Sequence, residues 1–316
     1  MLSKVRSSAV LGIEAFPVEV EVDISSGLPG LHIVGLPDTA CKESADRVRS
    51  AIKNTGLAFP TKKVTVNLAP ADLKKEGSAY DLAIAVGILA ASEQVPREKA
   101  LEHVYCGELA LDGRLRPVNG ILPRAASLIG PSGSAIVLPC DNAPEAQCIS
   151  GVRVVAVSCL KEVVDLLKEG VYPPAPVPAD VAVTDPQAHP PPEKLDLADI
   201  KGQAYAKRAL EIAAAGGHNV LMIGPPGSGK TMLAKRIPSI LSDISFSEAV
   251  ETTKIHSVAG LLPVRASLLS KRPFRDPHHT ISDIAMIGGS SHPKPGECLI
   301  TVRRVAARTV KTPKSL

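Results

Sequence analysis

A chain of 316 residues is long enough for two domains of ordinary size. Its 45% apolar content is ample for packed cores, and with only 3% aromatics and no Trp those cores must be built from Ala, Val, Leu and Ile. No apolar run reaches the roughly 18 residues needed to span a bilayer, and the N-terminus turns charged and strand-like too soon for a signal peptide. Six cysteines without a CxxC pair or zinc spacing read as scattered thiols in a reducing compartment, so the expected location is the cytoplasm, with no membrane partner. The formal charge of +4 belongs to the last stretch, where Arg303, Arg304, Arg308, Lys311 and Lys314 meet no acid. Without those five it becomes about −1, so charge alone argues little for a nucleic-acid-binding face.

In chain order, Ala15–Ile24 alternates apolar and polar residues in the manner of a strand, and a Gly-Leu-Pro-Gly turn leads into a second strand at Leu31–Gly35. Thr39–Asn54 has helical spacing, with Ala40, Val48, Ala51 and Ile52 facing inward. Lys63–Asn67 predicts a strand, and Tyr80–Ala91, rich in Ala, Ile and Leu, a buried helix. Val104–Leu109 and Ala135–Leu138 predict further strands. Leu160–Lys168 is an amphipathic helix stopped by Gly170. Strands and helices mixed in this way indicate one α+β domain. Between Pro173 and Pro192 eight of twenty residues are proline, which fixes φ and lacks an amide donor, so 171–194 reads as a semi-extended linker.

A second domain follows. Asn219–Gly224 predicts a short apolar strand, then come Gly224-Pro225-Pro226-Gly227-Ser228-Gly229-Lys230-Thr231 and a helical run, Met232–Ile237. The spacing G-x-x-x-x-G-K-[ST] is that of a P-loop, whose glycines let the backbone curl round phosphate oxygens with no Cβ in the way. Loop amides and the helix start supply partial positive charge to the β-phosphate, Lys230 reaches the β- and γ-phosphates, and the Thr231 hydroxyl binds magnesium. ATP and Mg²⁺ are therefore the expected ligands.

Upstream, Asp199-Ile-Lys-Gly-Gln203 and Ala209–Asn219 resemble the opening segment of AAA+ ATPases of the magnesium-chelatase-like group. Downstream, Arg272–Thr280, Ser282 and the Gly288-Gly289 turn resemble it too. The whole arrangement resembles the ComM/YifB family from Met1 to about Glu297. That resemblance implies a Lon-protease-like front domain of ribosomal S5 domain 2-like fold (1–170), the linker, an incomplete α/β P-loop AAA+ domain (195–297) and a divergent basic tail (298–316). It further implies adenine contacts at Ile200 and Gly202, a hexameric homo-oligomer, and a DNA partner in branch migration during recombination or natural transformation. His278 and His279, being adjacent, would face opposite ways on a strand and make a poor metal pair.

Lon-type proteases use a serine activated by a lysine, in segments of the form K-[DE]-G-P-S-A-G and G-G-x-K. The corresponding stretches here are Lys75–Asp81 and Asn119–Leu122, so the serine falls on Ala79 and the lysine on Leu122. Ser78 stands where the family has proline, with no base at the matching place. The front domain is expected to be a binding or assembly platform.

A P-loop hydrolase also needs a Walker B carboxylate at a strand end to hold magnesium and orient water. The family's G-E-[IV]-x-L-A-H-x-G-V-L-F-L-D-E is expected after Pro295-Gly-Glu297, where the chain reads CLITVRRVAARTVKTPKSL. After Thr231 the acids are Asp243, Glu248, Glu251, Asp276, Asp283 and Glu297, and none ends an apolar run of strand length. From the sequence, a truncated or frameshifted product is expected, with a diverged but complete paralogue as the alternative. The second domain would then hold too few strands for a complete sheet. Accordingly, steady-state phosphate release by these 316 residues should equal that of Lys230→Ala, with or without DNA. Turnover that Lys230→Ala abolishes would assign the missing role to Asp283 or Glu297.

Overall fold

Every second residue from Val18 to Ile24 is apolar, and Val18, Val20, Val22 and Ile24 are the buried residues of that stretch. Glu19, Glu21 and Asp23 point the other way, and the Lys4 ammonium lies between the first two, 2.7 Å from Glu19 and 3.1 Å from Glu21. The period-2 pattern thus fixes which face of the strand meets the core. The computed structural model describes residues 1–130, 134–173, 195–263, 267–278, 280–289 and 294–301. The chain forms two units, one of residues 1–182 and 263–267, the other of residues 183–262 and 268–316. The expected linker, apart from residues 171–173, and the basic tail beyond Thr301 lie outside the described residues.

The first unit is a mixed α/β structure. Strands β1 (Leu2–Leu11) and β2 (Glu14–Ser25) form a hairpin in which Leu11 faces Glu14. Gly12, at φ +64°, takes the first central position of the turn, where a type II′ hairpin asks for glycine. Next come β3 (Gly30–Val34), helices α1 (Thr39–Lys42) and α2 (Ser44–Asn54), and β4 (Lys63–Ala69). Helices α3 (Asp81–Ala91) and α4 (Arg97–Glu102) lead to β5 (Val104–Tyr105), and a small ribbon pairs β6 (Glu108–Leu109) with β7 (Leu115–Arg116). Then follow α5 (Ile121–Ala126), β8 (Ala135–Pro139), α6 (Ala143–Gln147), β9 (Arg153–Val157) and α7 (Leu160–Glu169). The seven-stranded sheet has the order β3-β4-β2-β1-β5-β8-β9. Only β2 runs antiparallel to its neighbours; the other four pairings are parallel.

All eleven residues of α3 are buried, and beyond its first residue, Asp81, the helix is apolar on every face. It packs on β1 and β2 and against α2 and α4. Gly87 permits the close approach to the sheet, since a Cβ there would lie 2.6 Å from Val22 Cγ2. Its carbonyl accepts from Ser3 Oγ at 2.7 Å. The inward face of α2 is Ser44, Val48, Ala51 and Ile52; Ala40 is only half-buried, and Cys41 beside it takes the inward place.

Val104–Leu109, expected as one strand, is two. Cys106 N–H donates to Val137 O and Gly107 N–H turns to Ala79 O, so the chain leaves the large sheet there. A Cβ on Gly107 would meet Leu115 and Pro139 side-chain carbons at 3.0 and 3.2 Å. The second half, Glu108–Leu109, is held at the start of α3, where Asp81 accepts from Leu109 N–H at 3.2 Å.

The described part of the second unit is mainly helical: α8 (Ala204–Gly216), α9 (Lys230–Arg236), α10 (Phe246–Val258), α11 (Asp283–Ile287) and α12 (Glu297–Ile300). Its only sheet among the described residues is the pair β10 (Gly288–Gly289) and β11 (Lys294–Pro295). Its small core joins Leu197, Ile200, Leu210 and Leu233, with Met222 and Ile237 packed against it. Among the described residues, no helix is long and apolar enough to cross a membrane.

Asp81 is fully buried and accepts from Arg47 Nε at 2.7 Å, Arg47 Nη2 at 3.1 Å, Ser44 Oγ and Leu109 N–H. Arg47 is partly exposed and keeps Glu43 at 3.8 Å, but without Asp81 the buried Ser44 and Leu109 donors are left unmet, at about 1–3 kcal/mol. Asp81→Ala should therefore lower the urea midpoint of the front unit by a corresponding amount. An unchanged midpoint would show that the pair is not needed for stability.

Candidate nucleotide-binding site

The P-loop octapeptide runs from Gly224 into the first turn of α9. Gly227 and Gly229 both have φ of +82°, a conformation that glycine adopts without a Cβ penalty, and Gly229 is the N-cap of α9. Pro225 and Pro226 have no N–H to offer; they set φ and leave the donating to the glycines, Ser228, Lys230 and Thr231. Ser228 N–H donates to Pro225 O at 3.3 Å, closing the turn. The Lys230 ammonium lies inside the loop and donates to Gly224 O at 2.7 Å, Pro225 O at 2.8 Å and Ser228 Oγ at 3.1 Å. An ammonium has three donors, and here all three are met by loop oxygens. Phosphate oxygens entering the loop would take over from these acceptors. Thr231 is exposed in the first turn of α9.

The stretch leading into the loop differs from its sequence reading. Asn219–Ile223 forms no strand: Leu221 and Ile223 are 80% and 79% exposed, while Met222 packs on the small core. Val220 is exposed as well, so the run has no regularly buried face, and a strand needs a neighbour for its ladder, with none alongside among the described residues.

Of the two residues proposed to touch adenine, Ile200 is 3% exposed and packs into the small core. Its carbonyl accepts from Lys207 Nζ. Gly202 is exposed at φ +67°, with nothing within 4 Å of where a Cβ would stand. The residue after it was not singled out from the sequence. Gln203 has φ of +56° and donates from Nε2 to Ser228 O at 3.1 Å, linking this segment to the P-loop octapeptide. Nothing in the residue order marks that bond, because it joins positions 25 apart.

Residues 20–142 match the family described as subunit ChlI of Mg-chelatase, and residues 196–305 match that described as magnesium chelatase, subunit ChlI. Both units carry ChlI family domains. The chain is also homologous to YifB, an uncharacterized protein of Escherichia coli K12, at 49% identity over 94% of this chain and 57% of the relative. Competence protein ComM of Haemophilus influenzae is 42% identical over 96% of this chain and 59% of its own length. A more distant likeness, 21% identity over 47% of the chain, is to Lon protease 2 of Bacillus subtilis, 29% of which is covered. The chain thus spans a little over half the length of YifB and ComM.

Two of the acids of the ChlI domain that follow the P-loop are committed elsewhere. Glu248 closes a capping box with Ser245 and meets Arg272 Nη2 at 3.1 Å. The Ser245 amide and Arg272 together lower its pKa to about 2. Arg275 grips Glu297 bidentately at 2.6 and 2.7 Å and keeps that carboxyl below its ordinary range. Asp283 stands in the first turn of α11. The exposed His278 ring contacts Thr280 Oγ1 at 2.7 Å, and His279 lies outside the described residues. Among the described residues, no cluster of three or more His, Cys, Asp or Glu could hold a metal.

In the front ChlI domain, both positions aligned with the Lon dyad are in the interior. Ala79 is 5% exposed, and Leu122 is fully buried with its N–H donating to Glu145 Oε1 at 2.7 Å. Ser78 Oγ donates to Glu108 Oε2 at 2.5 Å. A carboxylate is a far weaker base than the amine of the dyad and is poorly matched to a serine hydroxyl. The nearby Cys41 thiol is fully buried, and burial together with Asp38 pushes its pKa up to about 12, so it is no substitute nucleophile. Incubation with unfolded casein should release no peptides. Cleavage that disappears in Ser78→Ala would reinstate Ser78 and Glu108 as a working pair.

Proposed function

We propose that this chain binds ATP with magnesium at Gly224–Thr231. The observation that carries the reading is the Lys230 ammonium held by Gly224 O, Pro225 O and Ser228 Oγ, inside a loop whose two left-handed glycines exclude other side chains. Such a loop presents amides and one fixed positive charge to a polyphosphate. Lys230 would bind the β- and γ-phosphates, Gly227, Ser228 and Gly229 would supply amides, and Thr231 Oγ1 would hold the magnesium. Bound magnesium would neutralise part of the phosphate charge. The base would lie over the segment at Ile200–Gly202. Because the Ile200 side chain is committed to the core, the contact would be made by backbone and by Gly202.

For the whole protein, ComM/YifB kinship supports an oligomeric AAA+ ATPase acting on DNA, in branch migration or natural transformation; one relative's name, competence protein, accords with the latter. The front domain then serves as a Lon-like, S5-like platform without peptidase chemistry. A second reading, a nucleotide-binding piece without turnover, is favoured by the engagement of Glu248 with Arg272 and of Glu297 with Arg275.

Calorimetry with magnesium and a non-hydrolysable ATP analogue tests the binding itself. Charge-assisted hydrogen bonds contribute about 1.5–3 kcal/mol, so Lys230→Ala should weaken binding by at least about tenfold. Equal affinity in the two proteins would show that the loop is not a nucleotide site.

A further inference from the structure

The bond between Gln203 and Ser228 joins the segment assigned to the base with the loop assigned to the phosphates. Gly202 and Gln203 are successive left-handed residues, at φ +67° and +56°, where the chain turns into α8. Glycine is at ease in that conformation and glutamine is not. A non-glycine residue persists in that conformation where its surroundings over-determine it. Gln203 Nε2 lies 3.1 Å from Ser228 O, and it is 3.7 Å from the point where a Cβ on Gly229 would stand. A carbonyl can only accept, so it is the amide nitrogen, and not Oε1, that faces Ser228.

The backbone behind Gln203 is itself secured. Ile200 is locked into the small core and its carbonyl is held by Lys207 Nζ, while Gln203 O accepts from Lys207 N–H at 3.0 Å. The donor therefore comes from a fixed support. In a trans peptide the C=O and the following N–H lie in one plane and point in opposite directions. Holding Ser228 O thus also sets the direction of the Gly229 N–H, which points away from Gln203. We propose that Gln203 is a positioning residue for phosphate binding: by holding the Ser228 carbonyl it orients the Ser228–Gly229 peptide, so that the Gly229 amide is aimed before a polyphosphate arrives. This rests on reading Gly224–Thr231 as the phosphate site. Gln203 itself touches neither phosphate nor base.

The test compares wild type, Gln203→Glu, Gln203→Gly and Lys230→Ala, in competition against a fluorescent ATP analogue. The competitors are magnesium-ATP, magnesium-tripolyphosphate and adenosine. Gln203→Glu keeps the size and backbone demand of the residue but has no donor for a carbonyl. Gln203→Gly relieves the backbone, and it carries the test should circular dichroism show the glutamate variant unfolded. Loss of one net hydrogen bond predicts about five- to tenfold weaker binding of ATP and of tripolyphosphate alike, with adenosine unchanged. A merely structural role would not separate tripolyphosphate from adenosine in this way. Unchanged affinities in a folded Gln203 variant, with Lys230→Ala still impaired, would overturn the proposal and leave the nucleotide site standing. A penalty on adenosine but not on tripolyphosphate would make Gln203 a base contact and also overturn it. Wild-type protein that fails to bind magnesium-ATP would overturn both readings.

Discussion

A carboxylate shut away from water, Asp81, is the constraint around which the front unit is arranged. Burying it without partners would be prohibitive, so the surrounding elements supply donors: Arg47 and Ser44 from α2, and the Leu109 amide from β6. Asp81 stands at the start of α3, the helix buried on every face. Satisfying it therefore fixes where α3 begins, how α2 lies beside it, and where the chain must leave the large sheet after β5. The segment containing Ser78 and Ala79 directly precedes this anchor. Its geometry is set by the burial of Asp81, and both positions aligned with a Ser–Lys dyad have become part of the packing.

How much of this could be read from residue order follows from the range of the interactions. Val18, Val20, Val22 and Ile24 announce their strand because period 2 is a local signal, and Tyr80–Ala91 announces its buried helix because every residue after Asp81 is small or apolar. Gly170 marks the end of α7 by the left-handed conformation it takes, φ +73°. Part of what escaped was non-local. Val104–Leu109 is apolar enough for one strand, but the break after Tyr105 is imposed by Ala79, Val137 and Asp81, all distant in sequence. Strand β9 was not foreseen, although Val154, Val155 and Val157 favour one.

In the second unit the octapeptide stands out in the sequence because the nucleotide chemistry proposed for it needs fixed spacing: glycines for curvature, a lysine for charge, a hydroxyl for metal. The exposed Leu221 and Ile223 show the limit of the same logic. A short apolar run favours an extended, buried segment, but it does not say whether a neighbouring strand is present to turn that segment into sheet. Gln203 shows a different limit. Its identity is ordinary, and only its left-handed backbone and the distance to Ser228 set it apart.

The run Arg272-Pro-Phe-Arg275 looks from its composition like a basic feature open to a polyanion. Each of its arginines is spoken for, Arg272 by Glu248 and two backbone carbonyls, Arg275 by the two oxygens of Glu297. Paired at this range, the charges form short dipoles whose potential dies away faster than that of an unpaired guanidinium, and beyond a Debye length of about 8–10 Å little of it survives. This segment therefore adds little to long-range electrostatic steering. If the protein binds a polyanion, the counterion release that makes such binding salt-dependent would come from basic residues elsewhere in it.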